Sequence, residues 1–140
     1  MAKAYHMFNV RQYALIFNDE NKVLALQIPK RYSESGGKWA FPGGRMEAHD
    51  QPKGGLLREV KEETGLDIQP DGICHAGVWS SEAVSKYAVF YTATLSGDIT
   101  PVLSEEHEDM TWIGEDEIAE HTFIYPTFTQ AIKKAFESRK

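Results

Sequence analysis

The chain has 140 residues, 41% of them hydrophobic and 26% charged, with a formal net charge of −6 at pH 7. This is an ordinary globular composition, and the length bounds one domain with a real core. The acidic balance excludes a nucleic-acid binder acting by bulk electrostatics, but not a nucleotide substrate, because a bound cation inverts the local field.

The single cysteine, Cys74, excludes an internal disulfide and reads as a small strand residue rather than a nucleophile. The N-terminus has no apolar signal-peptide core, and no stretch approaches the length of a membrane span. The expectation is a soluble cytoplasmic protein with neither a membrane nor a nucleic-acid partner.

In chain order, residues 11–17 and 23–28 alternate as strands around the turn signal Asn18-Asp19-Glu20-Asn21, which makes a hairpin. Residues 30–38 are polar and glycine-bearing, hence a loop, whose Lys30, Arg31 and Lys38 could meet phosphates. Trp39-Ala40-Phe41-Pro42 is an apolar run stopped by proline. After a helix over residues 56–64, Gln69-Pro70-Asp71-Gly72 reads as a turn, and residues 73–80 and 87–95 read as two more strands, closed off by Gly97-Asp98 and Pro101. The acidic run 104–109 precedes a short strand at 110–113 and a short helix at 115–120. A loop follows at 121–126, then a final helix at 127–138 with Phe128, Ala131, Ile132, Ala135 and Phe136 on its apolar face. Hairpin strands with separate helices imply a mixed sheet flanked by helices.

The stretch over residues 43–66 organises the rest. At about 100° per residue, Leu56, Leu57, Val60 and Thr64 fall on one side of its helix, and Glu59, Glu62 and Glu63 fall together on another. Arg58 stands at the edge of the acidic side, and Lys61 points to solvent. Glu59 and Glu63 are a like-charge i, i+4 pair costing a few tenths of a kcal/mol. A hard divalent cation such as Mg²⁺ or Mn²⁺ gives that clustering a purpose. Paired glycines at Gly43 and Gly44 permit a sharp turn and close approach to a ligand. Gly65 stands where a helix ends, and Pro52 fits a helix start near Asp50 or Gln51.

This frame resembles the Nudix hydrolase family, the MutT-like enzymes, whose pattern is G-x5-E-x7-R-E-U-x-E-E-x-G-U with U a bulky apolar residue. Gly44, Arg58, Glu59, Val60, Glu62, Glu63, Gly65 and Leu66 stand at that spacing. Asp50 replaces the first glutamate, as either a supporting contact to the site or a helix cap.

The resemblance implies an α/β/α sandwich and a metal-dependent pyrophosphohydrolase that cleaves a nucleoside diphosphate linked to another moiety. A (deoxy)nucleoside triphosphate is the favoured substrate; ADP-ribose, nucleotide sugars and dinucleoside polyphosphates are alternatives, and a non-catalytic nucleotide-binding module is a second. It further implies Glu59, Glu62 and Glu63 as ligands of Mg²⁺ or Mn²⁺, with the Gly43 carbonyl, and Arg58 as the residue that orients the carboxylates. The general base is a box glutamate or one of Glu106, Glu108 and Asp109. Arg11, Tyr13, Lys38, Trp39, Glu106 and Asp109 form the expected substrate-binding set, with Tyr32, Trp79, Phe123 and Tyr125 as further aromatics. The five histidines show no metal-ligand spacing and read as structural or surface residues. Many relatives are homodimers, but no segment here specifies an interface.

Overall fold

The structure, a computed structural model, describes residues 4–81, 83–95 and 100–140. Strands β1 (Phe8–Phe17) and β2 (Val23–Gln27) form the expected hairpin. Asn18 builds its turn, its side-chain oxygen accepting the N–H groups of Glu20 and Lys22 at 3.0 Å, while Asn21 takes the left-handed conformation at φ 58°.

The hairpin does not stay closed. Among the described residues β1 and β2 pair only at Phe17 and Val23. Beyond that point they splay, and two short strands fill the wedge. β3 (Trp39–Ala40) pairs with β2, and β4 (Gly43–Arg45) pairs antiparallel with β1 through Arg11, Gln12 and Tyr13. The chain therefore crosses the wedge at Phe41-Pro42, delivering Gly43 and Gly44 to its floor.

The remaining strands extend the sheet on both sides. β5 (Gln69–Ser81) and β6 (Val84–Thr94) form an antiparallel ribbon, and β6 runs parallel to β1 along its whole length. β7 (Asp109–Ile113) pairs with β2.

Side chains alternate across β1, so the sheet has two cores. Ala14 and Ile16, with Leu24 and Leu26, face α1 (Pro52–Thr64) through Leu56 and Val60. Leu15 and Phe17, with Val23 and Ala25, face α2 (Pro126–Glu137) through Phe128, Ile132 and Phe136. This is the mixed sheet between helices that the sequence implies.

Two local expectations change. Residues 69–72, expected as a turn, already belong to β5. β5 is an edge strand, where Pro70 and Gly72 are tolerated opposite Ala93 and Thr92, and the register shift between them leaves Asp71 outside the ladder. Leu57, expected on the buried side of α1, is 37% exposed. The buried stripe is Gly55, Leu56, Val60, Glu63 and Thr64, rotated towards the acids. The short helix expected at residues 115–120 is present as a 3₁₀ helix. The expected closure at Gly97-Asp98 lies outside the described residues.

Candidate active site

Helix α1 is built to end where the wedge begins. Pro52 occupies its first turn after Gln51, and Gly65 closes it in the left-handed conformation at φ 72°, its N–H donating to Lys61 O at 2.9 Å. Leu56 and Val60 are buried against the sheet, worth about 1.5–3 kcal/mol each. That packing fixes the rotation of the helix and hence the direction of its carboxylates.

The acids occupy three environments. Glu62 is exposed and lies 3.7 Å from Arg58. Glu59 is half-buried beside Gly44 and accepts a hydrogen bond from Arg58 at 3.2 Å. Burial raises the Glu59 carboxyl above its ordinary range, against the opposing pull of Arg58. Glu63 is only 4% exposed. Its Oε1 accepts the Gly43 N–H at 2.8 Å. Burial pushes its pKa up to about 8, and the charges of Glu59, Glu106 and Glu62 add to that rise against the Gly43 hydrogen bond.

Gly43 makes that contact possible. Its φ is +144°, and a Cβ there would stand 2.0 Å from the Gln12 carbonyl oxygen. Only glycine fits.

Arg58 is gripped from the other side. Asp50 receives it at 2.6 and 3.2 Å, and also accepts the Glu47 N–H at 2.8 Å. The guanidinium holds the Asp50 carboxyl below its usual range. Asp50 therefore supports Arg58 and does not cap α1, which has no side-chain cap. Gly55 gives it room, since a Cβ there would lie 2.9 Å from the Asp50 carboxyl carbon.

The loop before β7 completes the cluster. Val102 N–H donates to Thr64 O at 2.8 Å and Ser104 N–H to Glu63 O at 3.2 Å, laying this segment along the end of α1. One donor atom each from Glu63, Glu106 and His107 then lie within 4.8 Å of one another. Spacing along the sequence could not find His107, because its neighbour Glu63 comes from a different element. Glu108 and Asp109 are exposed; the Asp109 side chain accepts the Met110 N–H at 2.8 Å.

The remaining expected contacts divide. Tyr13 is buried, stacked on Phe90 at 5.4 Å, with the Arg11 guanidinium beside its hydroxyl and the Glu63 charge within electrostatic reach. Trp79 stacks on Tyr125 at 4.8 Å, and its indole N–H is buried with no partner among the described residues. Trp39 meets His121 edge-on at 5.5 Å, and Lys38 lines a groove with His121 and Gln130. Neither makes an ion pair or hydrogen bond with the carboxylates among the described residues. Tyr32 is exposed against Arg31, and Phe123 is core.

A divalent cation fits this donor set. Among the described residues Glu63 forms no ion pair with any Lys or Arg. With one backbone donor against its burial, Glu63 calls for such a partner or a metal to hold its charged form.

The family model of the NUDIX domain matches residues 7–132. The chain belongs to that family. A MutT-like protein of Streptomyces ambofaciens is 26% identical over 114 residues, covering 81% of this chain and 69% of that protein. An 8-oxo-dGTP diphosphatase of Proteus vulgaris is 43% identical over 54 residues, 39% of this chain and 47% of that enzyme. The chain thus matches less than half the length of this second relative. The solved structure of a MutT protein from Methanosarcina mazei Go1 superposes with a TM-score of 0.83 over 99% of both chains, at 24% identity. That likeness shows the fold alone. Family and relatives together class the chain as a Nudix-type pyrophosphohydrolase.

Proposed function

We propose that the chain hydrolyses the pyrophosphate linkage of a nucleoside triphosphate or its oxidised form, with Mg²⁺ or Mn²⁺ held by Glu59, Glu62, Glu63 and the Gly43 carbonyl. The observation that carries this reading is Glu63, a buried carboxylate with no cationic partner among the described residues, surrounded by three further acids. A divalent cation bound there neutralises charge on the transferring phosphoryl group and acidifies a bound water.

The chain's own residues do the rest. Gly43 N–H fixes one oxygen of Glu63, leaving the other to a cation. Arg58, itself held by Asp50, orients Glu59. Glu59 takes the proton of the attacking water. Support for this comes from its raised pKa, which brings a carboxylate closer to the neutral range where a base works best. Glu106 would help Glu63 hold the cation, whereas the Asp109 side chain is occupied by the backbone.

The stacked pair Trp79 and Tyr125 offers the nucleobase an aromatic face, with an indole N–H that has no partner among the described residues, and Arg11, beside the Tyr13 hydroxyl, can meet a phosphate. The preference for a triphosphate draws on the Proteus vulgaris relative, named for 8-oxo-dGTP.

The test is product analysis with Mg²⁺ on canonical and oxidised nucleoside triphosphates, ADP-ribose, nucleotide sugars and dinucleoside polyphosphates. Wild type is run beside Glu62→Gln and Glu63→Gln. Cleavage of a triphosphate to monophosphate and pyrophosphate, lost in both variants, is the expected result. Turnover confined to ADP-ribose or another diphosphate derivative would overturn the substrate, and nucleotide binding without turnover on any compound would overturn the reaction.

A further inference from the structure

The loop between α1 and β7 is anchored at both ends. Ser104 N–H is bonded to Glu63 O on one side, and Glu108 N–H donates to Gln27 O at 2.9 Å on the other. Between them the Ser104 carbonyl accepts the His107 N–H at 3.3 Å, and the Ser104 hydroxyl accepts the Glu106 N–H at 3.3 Å. His107 is therefore held at a fixed place against the end of the catalytic helix.

Its imidazole Nδ1 is buried and has no hydrogen-bond partner among the described residues. Leaving such a buried group unsatisfied is costly. The orphan nitrogen belongs to the same residue that closes the cluster with Glu63 and Glu106, and Glu63 is itself buried with no Lys or Arg paired to it among the described residues. The donor atoms lie within 4.8 Å of one another. Ligands held at about 2.1–2.2 Å from one ion stand at most about 4.4 Å apart. Side-chain movement of roughly half an ångström lets all three converge on one ion.

We propose that His107 supplies a nitrogen ligand to the cation held by Glu63 and Glu106, and that this donor makes the site prefer Mn²⁺ over Mg²⁺. The proposal rests on the reading of Glu63 as a metal ligand and adds the donor that sets metal preference. Mg²⁺ is a hard ion that gains little from imidazole, whereas first-row transition ions accept it readily.

The experiment uses the full chain stripped of metal and loaded with Mn²⁺. Electron spin-echo spectroscopy reads ¹⁴N coupling to the ion, and titrations give the Mn²⁺ and Mg²⁺ dissociation constants for wild type, His107→Ala and His107→Gln. Wild type is expected to show imidazole ¹⁴N modulation that both variants lose. The Mn²⁺ constant should rise about tenfold or more in the variants, with the Mg²⁺ constant within about twofold of wild type. Thermal melts in EDTA check that each variant folds, and the glutamine variant serves if the alanine variant does not.

Bound Mn²⁺ without ¹⁴N modulation, modulation that survives in the variants, or equal losses for both metals would each overturn the nitrogen ligand while leaving Glu63 as a ligand. Failure of wild type to bind Mn²⁺ would overturn both.

Discussion

The acids on α1 and just ahead of it stand in opposite circumstances. Asp50, before the helix, and Arg58 and Glu59, at its middle, form a chain of charge-assisted hydrogen bonds that is complete as it stands. One turn further on, Glu63 is buried with a single backbone donor, and His107 beside it has a nitrogen with no partner among the described residues. The first region is a scaffold that satisfies itself. The second becomes satisfied when a cation arrives, so stability, pH and metal should be coupled at Glu63 and nearly independent at Asp50.

Glu63→Gln breaks that contrast with the largest effect. The folded pKa of Glu63 is about 8 against an ordinary 4.5. The folded protein therefore keeps a proton that the unfolded chain releases, and stability falls as pH rises between those two values. In EDTA, wild type should lose on the order of 4–5 kcal/mol relative to Glu63→Gln between pH 4.5 and 8, read from urea unfolding at each pH. Saturating Mn²⁺ should reverse the order of the two proteins at pH 8. At pH 7 metal binding should release about one proton, measured calorimetrically in buffers of different ionisation enthalpy. Hydrolysis should fall about a hundredfold or more in the variant.

Gly43→Ala attacks the same contact from the backbone side. The added Cβ meets the Gln12 carbonyl in a conformation closed to alanine. A loss of about 3 kcal/mol or more in urea unfolding is expected. Wild-type stability would show that the wedge can open.

Arg58→Gln probes the scaffold half. It should cut kcat about tenfold by freeing Glu59, and weaken Mn²⁺ binding about tenfold, less than Glu63→Gln does. The smallest effect belongs to Gly55→Ala. The helix gain of up to about 1 kcal/mol is offset by the contact with Asp50, so unfolding midpoints should barely move.

Much of this was legible in the sequence, and the failures are instructive. The box spacing gives the family, and the period of α1 gives its acids. On a helical wheel Glu63 stands only about 20° from Leu56, within the stripe that the fold buries. Grouping it with Glu59 and Glu62 as one acidic face hides that it is buried. The choice open for Asp50 is decided by the room Gly55 leaves, which is a packing fact rather than a propensity. The parallel pairing of β1 with β6 joins strands far apart in the chain, beyond the reach of hairpin reasoning. His107 stayed hidden for the same reason, since its neighbour is contributed by α1.

The most direct measurement is a Mn²⁺ titration of the metal-free chain at pH 7, following free ion by its electron paramagnetic resonance, for wild type, Glu63→Gln and Asp50→Asn. If the C-terminal half of α1 holds the cation, Glu63→Gln weakens binding about a hundredfold or more and Asp50→Asn changes it by less than about threefold. Unchanged affinity in Glu63→Gln, or an equal loss in Asp50→Asn, would contradict the division of α1 into a self-satisfied scaffold and a cation-dependent site.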